Sequence, residues 1–316
     1  MDTQTRTAVI FNPRAAHGRT GKLYAKIRSQ VEAIIPGADW RVTEYPGHAT
    51  QATRSALWSG YNRIISVGGD GTHYETLNGF FEGQQLINPN ATLAILPFGT
   101  GSDLARSLGI PRKWASLPVI PQGRVVPLDV IRVTCVDWKG MPFSCHLLNT
   151  SRVGIGGEVV WRVNRKTKVW GGFFTYLRGS IEALFSYTSR PMRIRINEEI
   201  WEDTFLEIIL ANGRFDGGGM KVAPGARMDD GLLDIYLIRP VSLVDALTSF
   251  RLLYQGRLDA RPDVVTFLRG SQVAITAAEP VKINVDGESP GTTPVTFDVL
   301  PRILPVVVGP GFQPQS

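Results

Sequence analysis

Cysteine and histidine are scarce in this chain, with two of the first and four of the second among 316 residues. Cys135 and Cys145 cannot supply a metal tetrad and lack CxxC spacing, which excludes a zinc ribbon and a thioredoxin-type redox pair. They read as two buried thiols, or as strand neighbours, in a reducing compartment. HExxH and any other His/Cys cluster are absent, and so is the GxSxG elbow of serine hydrolases. The stretch Gly18-Arg19-Thr20-Gly21-Lys22 imitates the end of a P-loop. However, Ala16 stands where the first glycine belongs, and Leu23 where Ser or Thr would hold magnesium. Dinucleotide fingerprints fail as well, because Gly99-Thr100-Gly101 runs on to Leu104 and Gly69-Asp70-Gly71 to Tyr74, where a third glycine is required. No apolar run approaches the ~18–20 residues of a membrane-spanning helix. The opening MDTQTRTAVIF is polar without a signal-peptide pattern, so a cytoplasmic protein is expected. Internal repeats and low-complexity segments are also missing.

What is present is an ordinary globular composition, 43% hydrophobic and 20% charged, with enough length for about two domains. The net charge of +6 favours acidic partners, whether nucleotide, anionic lipid or nucleic acid. It is unevenly spread. Between Trp161 and Arg195, eight basic residues (Arg162, Arg165, Lys166, Lys168, Arg178, Arg190, Arg193, Arg195) face one acid, Glu182.

The first 110 residues alternate strand and helix. TAVIFN reads as a buried strand, and GRTGKLYAKIRSQVEAII as one amphipathic helix with Leu23, Ile27, Val31 and Ile34 on a single face. A strand near Trp40–Thr43, a helix over Ala49–Ser59, a strand Ile64–Val67, a helix His73–Phe81 and a strand Thr92–Pro97 follow. This order predicts a parallel sheet with helices on both faces, and ligands in such sheets bind beyond the C-terminal strand ends. After Pro111 the helical periodicity fades, apart from Gly172–Tyr187 and Leu243–Leu253. Short strands take over, at Val125–Thr134, Phe143–Asn149, Met192–Ile196, Phe205–Leu210, Leu233–Ile238, Gln272–Thr276, Val281–Val285 and Val295–Val299. The expectation is an α/β domain over residues 1–127, completed by 300–316, and a larger, mainly antiparallel β-sandwich over 128–299.

Val67-Gly68-Gly69-Asp70-Gly71-Thr72, read with Glu75, is the most informative run. A strand that ends in glycines and leads into a helix lets backbone N–H groups converge on an anion. Asp70 sits where a purely phosphate-cradling loop would not want negative charge, and a magnesium ion between the two resolves the conflict. That combination points to phosphoryl transfer. A second loop, PFGTGSDLARSLGIP, offers close backbone approach at Gly99 and Gly101, a hydroxyl donor at Thr100, and Ser102 or Asp103 as cap of the following helix. Asn12-Pro13-Arg14, after the first strand, is a third and weaker loop. In the C-terminal half, ANGRFDGGGMKVAPGARMDDGLLDI holds six glycines in 25 residues. Asp229-Asp230-Gly231 reads first as a tight turn, and Asp286-Gly287 as a hairpin. Glu288 would then project from a rigid tip, a good place for a general base.

Together and in this order, these segments resemble the diacylglycerol kinase catalytic-domain family, in its soluble bacterial lipid-kinase branch. GGDGT alone is shared with NAD kinases and sphingosine kinases, whereas PFGTGSDLAR, GGGMKVAPGARMDDGLLD and VDGE narrow the likeness to lipid kinases. The resemblance implies ATP in a cleft between the α/β domain and the β-sandwich, touching Asn12, Thr43, Gly69, Asp70, Gly71, Thr72, His73, Tyr74, Glu75 and Thr100. It implies Glu288 as the base that takes the lipid hydroxyl proton, and Asp70 as a carboxylate that helps place catalytic Mg²⁺. It also implies a structural Mg²⁺ at the DDG turn, held by the Asp230 carboxylate and the carbonyls of Arg227 and Leu232. One departure is visible, since the usual GTxND reads GTGSD here, with Ser102 for asparagine.

The acceptor implied is a lipid such as diacylglycerol or phosphatidylglycerol, within phospholipid metabolism. A sphingoid base, NAD or another lipid alcohol is the rival acceptor, and a non-catalytic nucleotide- or lipid-binding regulator is the rival class. Nucleic acid is not expected, because it would leave both glycine loops without a purpose. The basic, aromatic segment with Trp161, Trp170, Phe173, Phe174 and Tyr176 would suit peripheral contact with an anionic membrane. Antiparallel edges in the second domain could support a homodimer.

Overall fold

The computed structural model describes residues 5–165, 186–242, 245 and 251–314. The chain forms two compact units, one running up to Val130 and resuming at Pro301, the other Ile131–Leu300. Most of the segments expected as helices at 172–187 and 243–253, and the aromatic residues Trp170, Phe173, Phe174 and Tyr176, lie outside the described residues.

The first unit is built on β1 (Thr7–Phe11), α1 (Arg19–Lys22), α2 (Tyr24–Ile34), β2 (Asp39–Val42), α3 (His48–Trp58), β3 (Arg63–Gly68), α4 (Asp70–Gly79), the small hairpin β4 (Phe81–Glu82) and β5 (Gln85–Leu86), β6 (Thr92–Pro97), α5 (Asp103–Ser107) and α6 (Val119–Gln122). β2, β1, β3 and β6 lie side by side in that order and all run parallel. β1, β3 and β6 are buried almost end to end, as strands covered on both faces must be, which is why they read as unbroken Val/Ile/Leu runs. The register pairs Phe11 with Val67 and Gly68 with Pro97, so the loops after β1, β3 and β6 all open at one edge of the sheet.

Two boundaries differ from the sequence pattern. The helix expected from Gly18 onward divides at Leu23, whose N–H turns to the Thr20 carbonyl three residues back, at 3.0 Å, instead of continuing the i→i−4 ladder. Ile27 and Val31 still form the buried face of α2. α4 begins at Asp70, earlier than the apolar spacing suggests, because the Gly69 carbonyl accepts the N–H groups of Thr72 (2.9 Å) and His73 (3.1 Å).

The second unit is antiparallel. Its elements are β7 (Arg124–Asp137, which begins in the first unit), β8 (Pro142–Leu147), β9 (Thr150–Gly154), α7 (Ile155–Arg165), β10 (Arg190–Ile196), β11 (Glu199–Phe205), β12 (Glu207–Ala211), β13 (Leu233–Ile238), β14 (Val265–Gly270), β15 (Gln272–Ala277), β16 (Ile283–Val285) and β17 (Gly291–Val308). One sheet has the order β11-β10-β15-β17-β7-β8 and the other β14-β13-β12-β9-β16, the two sheets of a β-sandwich. In β10 the buried residues Met192, Ile194 and Ile196 alternate with exposed ones, the period-2 signature of a half-covered sheet. β11 and β14 were not legible in the sequence: acidic residues interrupt EIWEDTF, and the inward set of VTFLRG is short. The end of β17 belongs to the first unit, where Val306 pairs in parallel with Leu93 of β6.

Both cysteines are free and buried on the adjacent strands β7 and β8, and burial pushes the Cys135 thiol up to about 11.

Candidate functional site

In the first unit the glycine loops interlock. A Cβ on Gly99 would strike the Gly69 backbone, and one on Gly101 would sit 2.6 Å from Asp70 Oδ2. Asn12, just past β1, donates from Nδ2 to Thr72 Oγ1 at 2.9 Å, while its own Oδ1 accepts the Arg14 N–H. Thr43 is buried, its N–H on the Phe11 carbonyl at 2.8 Å. Gly69, Asp70, Gly71, Tyr74 and Glu75 are partly buried, Thr72 is buried and Thr100 is exposed. Among the ten residues expected to touch nucleotide, His73 is the one whose side chain is wholly enclosed. Its Nδ1 lies 2.9 Å from Ser66 Oγ, and burial pushes its pKa down to about 4, so the ring is neutral near pH 7.

The two acids of the motif have partners that the sequence did not reveal. Asp70 Oδ2 accepts the Ser102 N–H at 2.7 Å and Oδ1 the Leu104 N–H at 3.3 Å. Glu75 does the same for a different helix, with Oε1 accepting the Gly47 N–H at 2.8 Å and Oε2 the Ala49 N–H at 3.1 Å. Each carboxylate therefore satisfies the N-cap and second-residue donors of a neighbouring helix, Asp70 for α5 and Glu75 for α3. The expectation that Ser102 or Asp103 caps α5 is corrected here. Ser102 is left-handed (φ 60°) with no side-chain cap bond, and Asp103 pairs with Arg106 at 2.6 Å. α4 itself has no side-chain cap, so its first N–H groups face the sheet edge from an all-glycine approach. That is an arrangement suited to phosphate oxygens. A carboxylate oxygen has more than one acceptor direction, so Asp70 keeps capacity for a cation after meeting both N–H groups.

In the second unit Glu288 follows a two-residue hairpin turn. Asp286 (φ 48°) and Gly287 (φ 88°) are both left-handed, and Val285 and Glu288 exchange backbone bonds at 2.8 and 2.9 Å, as a type I′ turn requires. Glu288 is exposed at its end. Asp286 anchors the turn by accepting N–H groups from Leu148 (2.9 Å), Asn149 (3.1 Å) and Thr150 (2.9 Å). Burial outweighs these three donors and, with Asp216 nearby, raises its pKa to about 7. Asn284 Oδ1 accepts the Gly287 N–H at 2.8 Å and completes the support. Behind it Arg152 is buried between Asp216 (2.7 Å) and Glu207 (3.5 Å). Of these supporting residues the sequence singled out Asp286 alone, for its turn; its clamp on Leu148, Asn149 and Thr150 and the Arg152 pairs join residues far apart along the chain.

At the DDG turn, Asp230 Oδ1 accepts the Leu232 N–H at 3.1 Å and Oδ2 pairs with the Arg269 guanidinium, which also holds Asp234 at 2.8 Å. Arg227 is exposed and Leu232 partly buried. A divalent ion bound to Asp230 would therefore compete with a guanidinium already in place. Arg269→Ala leaves two acids, each almost enclosed, without their cation, so its melting temperature is expected to fall and to recover with millimolar Mg²⁺. The native chain without nucleotide should melt at the same temperature with or without Mg²⁺. Thermal denaturation of both proteins across a Mg²⁺ series checks this.

The diacylglycerol kinase catalytic domain matches residues 6–133, and the YegS C-terminal NAD kinase beta sandwich-like domain matches 150–308. A YegS-like lipid kinase of Pseudomonas aeruginosa is 31% identical over 267 residues, 84% of this chain and 83% of the relative. The diacylglycerol kinase of Bacillus subtilis (strain 168) is 25% identical over 305 residues, 96% of each chain. A crystal structure of a diacylglycerol kinase from Bacillus anthracis str. Sterne gives a TM-score of 0.74 at 23% identity, over 99% of this chain and 100% of that one. Yeast NADH kinase gives 0.55 at 11% identity, over 98% and 84%, a likeness of fold alone.

Proposed function

The chain belongs to the diacylglycerol kinase and YegS-like lipid kinase family, and from that premise we propose that it transfers the γ-phosphate of ATP to the hydroxyl of a glycerolipid. The observation that carries the nucleotide half is the open start of α4. Of the four helices that begin at that sheet edge, α1 has its first N–H groups on the carbonyls of Ala16, Ala15 and Pro13, α3 and α5 are closed by Glu75 and Asp70, and α4 is left to present its own after Gly68 and Gly69. Gly69 and Gly71 admit the phosphates close to the backbone, Thr100 is an exposed hydroxyl donor, and Asn12 and Thr72 hold each other in place beside them.

Asp70 would hold Mg²⁺ with the acceptor capacity it retains, and the bound ion would neutralise charge on the phosphates. Glu288 takes the proton of the acceptor hydroxyl as that oxygen forms its bond to the γ-phosphorus. The bridging P–O bond breaks, ADP leaves, and the lipid carries a phosphate monoester. Asp286 and Asn284 fix the backbone that presents Glu288.

The test is incubation of the purified protein with radiolabelled ATP, Mg²⁺ and a panel of diacylglycerol, phosphatidylglycerol, a sphingoid base and NAD, with products identified by mass. A phosphorylated glycerolipid is the expected product. Label on the sphingoid base or on NAD alone would reassign the acceptor, and no labelled product with any of them would favour a binding protein.

A further inference from the structure

The β7–β8 connection and the start of β8 present seven consecutive exposed residues, Trp138-Lys139-Gly140-Met141-Pro142-Phe143-Ser144. Four are apolar, one is a cation and none is an acid. Trp138 is 48% exposed, Met141 60% and Phe143 39%. Soluble proteins scatter large apolar side chains singly over their surfaces; a cluster on one projecting turn marks a contact.

The turn is rigidly made. Asp137 Oδ1 accepts the N–H groups of Lys139 and Met141, both at 2.8 Å, and the Asp137 N–H bonds to the Met141 carbonyl at 2.8 Å. The turn's own acid is thus directed into its backbone, which leaves Lys139 as the charge of the turn, with the exposed Glu288 on the neighbouring hairpin. Trp138 also ties this tip to the hairpin described above: its indole N–H donates to the Ser289 carbonyl at 2.9 Å, one residue past Glu288. On its other side lies Trp161, at 6.1 Å between ring centroids, with the Lys282 ammonium 3.7 Å over that ring.

We infer that the tip Trp138–Phe143 is a membrane-docking element that seats in the interface of an anionic lipid surface. Trp at such an interface has an apolar body and a polar end, Met and Phe would enter the acyl boundary, and Lys139 would reach anionic headgroups. This inference rests on the lipid-kinase reading for its choice of partner. A lipid hydroxyl leaving the bilayer beside Trp138 would emerge next to the Glu288 hairpin.

The experiment is co-sedimentation of the full chain with phosphatidylcholine vesicles, with and without phosphatidylglycerol. It compares the native protein with Met141→Glu/Phe143→Glu and with Lys139→Ala. Losing two apolar contacts and gaining two repelled carboxylates should weaken binding to anionic vesicles by about tenfold or more. Lys139→Ala should bind more weakly only where phosphatidylglycerol is present. Melting temperature and turnover of a short-chain, water-soluble diacylglycerol should be unchanged in all three proteins.

Sedimentation of the double variant equal to the native protein would overturn the inference. So would a native protein that ignores vesicles and elutes as a dimer which the double variant splits, since a second copy would then cover the tip. Vesicle binding requires no turnover, so a chain that docks yet phosphorylates nothing would sink the kinase reading and leave the docking surface standing.

Discussion

Glu288→Gln is expected to reduce turnover by ~10²–10⁴, the usual contribution of a positioned general base, while leaving ATP affinity and melting temperature as they are. The structural reason lies in how the tip is made. The turn depends on backbone bonds between Val285 and Glu288, on the left-handed Asp286-Gly287 pair and on the Asp286 clamp, all of which a glutamine at 288 can preserve. An amide of nearly the same size keeps the shape and removes the proton acceptor. Initial-rate kinetics with saturating ATP, together with nucleotide binding by calorimetry, separate the two quantities. A variant that keeps most of its turnover would remove Glu288 from the chemistry.

Asp70→Asn is expected to behave differently, because it adds a structural loss to that of the magnesium-holding role proposed above. Asp70 accepts two backbone N–H groups at the start of α5, and a carboxamide has one oxygen with which to meet them. Its NH₂ group would confront the second donor. A buried N–H left without a partner costs about 1–3 kcal/mol. For a unit of this size a loss near 2 kcal/mol lowers the melting temperature by roughly 4–8 °C. Turnover should fall as well, and limited proteolysis should begin near Gly99–Ser102 before the remainder of the unit opens. A variant that melts like the native chain but is inactive would mean that the bonds to α5 add little and that Asp70 serves chemistry alone.

Much of the first unit was legible because its strands are buried on both faces, so composition alone marks them, and because glycines announce the loops that follow. The second unit was harder to read. β17 runs from Gly291 to Val308 through several changes of environment, and only its first half carries the alternating pattern that betrays a strand. The Asp286-Gly287 hairpin was visible, since that dipeptide is among the few that tolerate two left-handed residues in succession. What anchors it was not. The three N–H groups that Asp286 accepts lie 136 to 138 residues earlier, and no local pattern encodes such a partnership. The glycine motif was legible as a strand-to-helix loop for the same local reasons, whereas the helices its acids hold could be found only in three dimensions.

Because Asp70 and Glu75 fasten α5 and α3 to the motif that carries them, a descendant of this chain that had stopped turning over substrate would still be under pressure to keep both. An intact GGDGT followed by glutamate therefore testifies to a working scaffold more than to a working enzyme. Glu288 is exposed, and what the hairpin takes from it is a pair of backbone bonds with Val285 that other residues could make. If Glu288 is the base proposed above, its loss, rather than any change in the glycine loop, would be the first mark of a lineage of this architecture that has abandoned catalysis.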